Sequence, residues 1–291
     1  MTPDSQDFPL GRNPLDAPTI LLVGCGNMGG AMLAGWLKSG VPAASILVID
    51  PTLAAAPAGV RLAASLPAGL APPSILVLAV KPQKLAEIAP SFAGLVSGDT
   101  MLVSVLAAIE FSTLRHYFPA AGSIVRAVPN LPAAIGRGLT ILAGDGLGTA
   151  SRALAETLFT PLGVVEWMAD ERLCALATTV SGATPAFFFR IADAMALAAE
   201  AQGMDRVQAR RLIAETMAGS AAMLTETGAD PADMARRVAS PGGVTLAGLR
   251  ILDEEDALAR LMGDTVAAAV ARNDEMTGAF RPILSPRKNE G

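Results

Sequence analysis

Residues 19–36 read TILLVGCGNMGGAMLAGW, and their order decides the fold. An apolar, β-branched run from Thr19 to Val23 leads straight into glycine and then into a helix-compatible segment. Such a run bounded by a turn signal predicts a buried strand. Gly24, Gly26 and Gly29 have the spacing G-x-G-x-x-G. In a dinucleotide site the first glycine permits the tight turn, and the second lets the backbone approach a pyrophosphate. The third lets the helix pack closely on the strand. The helix opening near Asn27 and Met28 would offer free N–H groups and a positive dipole end to the phosphates. A purely structural glycine turn has the same spacing, but this one lies between a strand and a helix. Asp50 follows Gly29 by roughly the 20 residues expected for the acid that holds a ribose 2′-hydroxyl. The stretch reads as a nucleotide-binding β-α-β unit.

The 291 residues suffice for two domains and a substantial core. Hydrophobic residues make up 52% but aromatics only 4%, so Ala, Leu and Val dominate, which suits tightly packed helices. A net charge of −5 argues against a general nucleic-acid footprint. Cys25 and Cys174 are too few for a disulfide scaffold and read as reduced thiols. No metal-ligand spacing appears. A mean hydropathy of +0.45 raises the question of a membrane span. The opening stretch is long and apolar enough to mimic one, but Asn27 and the glycine cluster favour strand-turn-helix. Met1 to Pro18 is polar and lacks a signal-peptide core, so the expectation is a soluble cytoplasmic protein.

Residues 1–17 read as a loose tail. Apolar runs at 45–50, 74–80, 100–105, 123–128 and 139–143 predict further strands, alternating with short helical segments. Most are apolar on both faces, which describes a doubly wound parallel sheet over residues 18–167. Pro51 to Pro73 is rich in Ala, Pro and Gly and supports no detailed assignment. Beyond Trp167 the pattern changes to helices over 168–276. Breaks are signalled at Gly203-Met204-Asp205, Gly228-Ala229-Asp230-Pro231 and Ser240-Pro241-Gly242-Gly243. Residues 277–291 read as a disordered end.

Three stretches could carry chemistry. Val80, Lys81 and Pro82 follow the third long strand, at the edge where α/β sheets bind ligands, although Lys81 reads equally as a solvated lysine. In Arg126-Ala127-Val128-Pro129-Asn130-Leu131-Pro132 two prolines could hold the Asn130 amide toward a nicotinamide. A rigid loop without a ligand explains them as well. Ser240, Gly242, Gly243, Val244 and Thr245 lie between two helices, where exposed N–H groups and hydroxyls suit a carboxylate. His116, the only histidine, reads as packing or surface. No base of the kind an alcohol dehydrogenase needs is evident.

Taken in order, GCGNMGGAM, AVKPQ, VRAVPNLP, VSGATPAFFF and SPGGVTLAGL resemble the pyrroline-5-carboxylate reductase family over about 19–276. The resemblance implies an α/β Rossmann-type dinucleotide-binding domain followed by an all-α dimerisation domain. It also implies reduction of 1-pyrroline-5-carboxylate to L-proline by NADPH or NADH, and a homodimer or a larger ring of dimers. On this view Ser240, Gly242, Gly243, Val244 and Thr245 hold the substrate carboxylate, and the Thr245 hydroxyl lies near the ring nitrogen as the catalytic group. Gly24, Gly26, Asn27, Met28, Gly29, Asp50, Val80, Lys81, Pro82 and Asn130 would bind the cofactor. The family pattern is altered at Leu131, Thr184 and Ala108, the last replacing a usual glycine. Asp50, with no arginine between it and Arg61, favours NADH, whereas the resemblance favours NADPH. The rivals are a catalytically silent dinucleotide-binding subunit and a β-hydroxyacid dehydrogenase. The second would need a lysine on the interdomain helix, and residues 173–202 have none.

Overall fold

The computed structural model describes residues 20–280. The expected tail at 1–17 and the end beyond Phe280 lie outside them. Strand β1 (Ile20–Val23) runs into helix α1 (Asn27–Lys38), then β2 (Ile46–Ile49), β3 (Arg61–Ala63), β4 (Ile75–Leu78) and α2 (Leu85–Ala93). There follow β5 (Met101–Ser104), α3 (Phe111–Tyr117), β6 (Ser123–Pro129), β7 (Gly138–Asp145), α4 (Thr149–Phe159) and β8 (Gly163–Trp167). The strands form one sheet in the order β3-β2-β1-β4-β5-β6-β7-β8. The chain winds outward through β2 and β3, then returns to the far side of β1 at β4. The β1/β4 boundary is therefore the switch point where such sheets bind ligands.

Every residue of β1, β2, β4 and β5 is buried, the consequence of covering a parallel sheet on both faces. Alternate residues serve opposite faces. Ile20, Leu22, Ile46, Val48, Ile75 and Val77 pack with Trp36 and Phe159 on one side. Leu21, Val23, Leu47, Leu76 and Leu78 pack with Phe92, Leu114 and Phe118 on the other.

The sheet departs from the all-parallel expectation at β6 and β7, which pair antiparallel. Residues 130–137 join them through a short 3-10 turn, and a parallel return needs a crossover of about a dozen residues or more. Two strands carry no clear sequence signal. β3 is a three-residue edge strand, and β8 is an edge strand whose side chains are only partly covered.

The helices are α5 (Glu171–Ala201), α6 (Arg206–Thr227), α7 (Pro231–Val238), α8 (Val244–Asp253) and α9 (Ala257–Phe280). All three predicted breaks are present. Asp205 caps α6 by accepting from the Gln208 N–H at 2.9 Å, and Gly228 ends that helix at φ 62°. Asp230 caps α7, with Pro231 at the first helical position. A fourth break, at Glu254–Asp256, has Glu255 at φ 49° and no glycine or proline to announce it. The end expected to be disordered from 277 is helical through Phe280, which packs beside the Phe92–Leu114–Phe118 side of the sheet.

Contacts divide the described residues into two compact units, 20–182 with 272–280, and 183–271. The division falls inside α5, whose first turns place Cys174 against Ile141 and Ala143 of β7. Within 183–271 only Pro185, Ala196 and Ala209 are buried, while Phe188, Phe189, Val207, Ile251 and Leu261 are more than half exposed. Among the described residues no helix is long and apolar enough to cross a membrane.

Candidate dinucleotide and anion sites

The three glycines after β1 do three different things. Gly24 has φ 90°, and a Cβ there would lie 2.6 Å from the Ala79 carbonyl oxygen, so it forms the tight turn and passes close to β4. A Cβ on Gly29 would collide with the Gly24 carbonyl, so that glycine seats α1 against the turn. A Cβ on Gly26 meets nothing within 4 Å. Of the three, Gly26 alone faces open space, as a position approached by a ligand does. It is also the N-cap of α1, and no side chain caps the helix. The first-turn amides of Asn27, Met28 and Gly29 are therefore available to an anion.

Asp50 stands at the end of β2 and is buried. One carboxylate oxygen accepts the Cys25 N–H at 2.7 Å; the other accepts the Thr52 N–H at 2.8 Å and the Thr52 hydroxyl at 2.7 Å. Burial pushes the carboxyl up, but these bonds and one from the Leu53 N–H outweigh it and hold Asp50 below the usual carboxylate range. Asp50 is thus an anion that also ties the glycine turn to β2. Because the Thr52 hydroxyl already donates to it, Thr52 is not free to meet a phosphate. Burial, then the nearby Asp50 charge, pushes the Cys25 thiol up, which disfavours the thiolate.

A cleft of about 800 Å³ joins these groups, bounded by Gly24, Gly26, Asp50, Val80, Lys81 and Lys84. Lys81 is exposed, ahead of the turn opened by Pro82. Lys84 is occupied by Glu87 at 2.6 Å. Among the described residues no arginine lines the cleft.

Asn130 stands just past the end of β6, bonded through both ends of its amide. Its Oδ1 accepts the Leu139 N–H at 2.9 Å, and its Nδ2 donates to the Ser181 carbonyl at 3.2 Å. Both ends of the amide are used within the fold, and Asn130 is not among the residues lining the cleft. The amide expected to face a nicotinamide makes both of these bonds within the fold.

Ser240, Gly242 and Gly243 lie in the turn between α7 and α8, and Val244 and Thr245 open α8. Gly242 has φ 73°, and the Gly243 N–H donates to the Ser240 carbonyl at 3.0 Å. A Cβ on Gly243 would lie 2.5 Å from Ser240 Oγ, so glycine lets the serine fold over the helix start. No side chain caps α8. An uncapped helix start of this kind offers backbone N–H groups that an anion can accept from. The sole histidine, His116, is exposed and stacks edge-on against Tyr117.

One pair escaped the sequence reading. Arg126, buried in β6, donates from Nη1 to Glu171 Oε1 at 2.8 Å, and the same oxygen accepts the Phe111 N–H at 2.7 Å. It fastens the start of α5 to the middle of the sheet. An arginine within the apolar run SIVRAVP was its only signal.

Residues 171–276 match the pyrroline-5-carboxylate reductase dimerisation family, and residues 19–108 match the family described as NADP oxidoreductase coenzyme F420-dependent. The chain is 32% identical to a pyrroline-5-carboxylate reductase of Haemophilus influenzae, covering 90% of this chain and 98% of that one. It is 30% identical to the Pseudomonas aeruginosa protein of that name, with 90% and 98% covered. The solved pyrroline-5-carboxylate reductase of Coxiella burnetii superposes with a TM-score of 0.82 at 27% identity, over 89% of this chain and 98% of that chain.

Proposed function

The chain belongs to the pyrroline-5-carboxylate reductase family, and on that premise we propose how its own residues carry the reduction of 1-pyrroline-5-carboxylate to L-proline. A reduced nicotinamide dinucleotide supplies the hydride. A protonated cyclic imine is already electrophilic, so the protein's task is positioning and charge stabilisation rather than strong base catalysis. A chain whose one histidine is exposed fits that chemistry.

The observation that carries the cofactor reading is the open face of Gly26 beside the uncapped start of α1. The pyrophosphate would cross Gly26 and take hydrogen bonds from the Asn27, Met28 and Gly29 amides. Asp50 would accept from the adenosine ribose, while Val80, Lys81 and Pro82 would border the cofactor farther along the cleft. In the helical half the amides of Gly243, Val244 and Thr245, with Ser240, would hold the substrate carboxylate. The Thr245 hydroxyl would lie near the ring nitrogen, where it would steady the cationic imine.

NADH is used at least as well as NADPH on this reading. An ionised Asp50 accepts from a ribose hydroxyl but repels a 2′-phosphate, and among the described residues no arginine lines the cleft to offset it. The family resemblance favours the opposite preference. The exposed apolar side chains of 183–271 support a homodimer, from which a larger ring of dimers would be built. The test is to follow NADH and NADPH absorbance with 1-pyrroline-5-carboxylate and related cyclic imines. Oxidation that depends on the five-membered imine acid supports the assignment; dinucleotide binding without turnover overturns it.

A further inference from the structure

Helix α5 contains Pro185 in its interior. Proline has no N–H, so the carbonyl four residues earlier loses its helical donor, and the ring pushes that carbonyl outward. That carbonyl belongs to Ser181, and Ser181 is where Asn130 Nδ2 donates at 3.2 Å. The donor is rigidly mounted. The Asn130 backbone N–H donates to the Leu139 carbonyl at 3.2 Å while its Oδ1 accepts the Leu139 N–H at 2.9 Å. Asn130 is thus held to β7 from both backbone and side chain, with its NH₂ aimed at the gap that Pro185 opens.

The location gives this contact meaning. Asn130 follows the last residue of β6, which runs parallel to β5, β4 and β1 and so ends at the same ligand-binding edge of the sheet. The boundary between the two compact units falls between Gly182 and Ala183, one residue past Ser181 and two before Pro185. The proline removes one helical donor within the continuous α5, and the asparagine donates to the carbonyl that lost it.

We propose that Asn130 is a positioning residue for hydride transfer, supplying the Ser181 carbonyl with the donor that Pro185 removes and so fixing the 181–185 turn of α5 at the ligand edge of the sheet. The proposal rests on the reading that imine reduction takes place at that edge. It needs no contact between Asn130 and either ligand, and it explains why the amide is turned into the fold.

Two substitutions act on opposite halves of the same bond. Asn130→Asp keeps the acceptor for the Leu139 N–H but faces a carboxylate oxygen toward the Ser181 carbonyl. Pro185→Ala returns a backbone N–H to that carbonyl and makes the asparagine redundant. An unsatisfied buried carbonyl costs between about five- and hundred-fold in an equilibrium it biases. Asn130→Asp should therefore lower kcat about ten-fold with the dinucleotide KM within two-fold of wild type. Hydrogen exchange of the amides at 182–189 should quicken about ten-fold. In the Pro185→Ala background the same substitution should cost no more than about two-fold in either measurement, because contacting groups couple and independent ones do not.

Equal losses in both backgrounds overturn the proposal, as does a raised dinucleotide KM with kcat intact, which would make Asn130 a cofactor ligand. If Asn130→Asp does not fold, Asn130→Ser takes its place, since a serine hydroxyl can serve Leu139 but is too short to reach Ser181. The exchange comparison needs no substrate. If the wild type reduces no cyclic imine, the functional reading fails while exchange still decides whether the pin exists.

Discussion

Replacing Gly26 with alanine separates folding from binding within one motif. Gly26 has φ −70° and ψ −156°, an extended conformation that alanine adopts, and the added Cβ meets nothing within 4 Å. Alanine removes unfolded-state freedom, stabilising by about 0.4–1 kcal/mol, but is a poorer N-cap by roughly 1 kcal/mol. The two effects nearly cancel, so the ligand-free variant should melt within about 3 °C of wild type. The methyl nevertheless occupies the space through which a pyrophosphate would approach α1. A phosphate displaced by it loses at least one charge-assisted hydrogen bond of roughly 1.5–3 kcal/mol, which raises Kd about ten- to hundred-fold. Gly29→Ala is the contrast. Its Cβ would collide with the Gly24 carbonyl, backbone against backbone, and overpacking of this kind costs about 1–3 kcal/mol or more of stability. Thermal melting of the ligand-free proteins and fluorescence titration with NADH and NADPH measure both quantities. A Gly26→Ala protein that binds dinucleotide within two-fold of wild type would refute the pyrophosphate path. One that melts as low as Gly29→Ala would refute the open-space argument.

Thr245→Ala should lower kcat/KM for the imine acid about ten- to hundred-fold while dinucleotide Kd changes less than two-fold; unaltered kinetics would remove Thr245 from the site. Asp50→Ser should shift the kcat/KM ratio toward NADPH, and a wild type already preferring NADPH ten-fold or more would show that Asp50 does not face the ribose. Because the folded protein holds the Asp50 carboxyl below its ordinary pKa of 3.8, its stabilisation is complete above that value and is lost only as pH falls further. Between pH 5 and 9, roughly, a dinucleotide titration should therefore show no step that Asp50→Ser removes. Ala108 has φ 60° although it is not glycine, a conformation costing an L-residue roughly 1–2 kcal/mol. Ala108→Gly should leave stability unchanged or raise it by up to about 1 kcal/mol, and a melting temperature lower by more than about 3 °C would refute the strain.

What the chain's order determined was everything that depends on neighbours a few residues apart. The β-branched runs at 20–23, 46–49 and 75–78 make buried strands because branched side chains suit an extended backbone covered on both faces. Gly24 makes the turn because only glycine takes φ 90° without penalty, and Asp205, Asp230 and Pro231 start helices through bonds that span two or three residues. Tertiary structure decided which groups meet across the sequence. Asp50 was legible as an acid at the right distance from Gly29, but its bond to the Cys25 N–H depends on β1 and β2 lying in register. Asn130 was legible as a residue braced by prolines, but whether its amide faced a ligand or the Ser181 carbonyl depended on where α5 lies. Arg126 could be noticed as a charge in an apolar strand, while its partner Glu171 lies 45 residues away. Short-range structure follows from allowed dihedral angles and side-chain periodicity, which each residue carries with it. Long-range partners follow from which buried polar groups the packing leaves in need of a bond, and that need exists only once the elements are assembled.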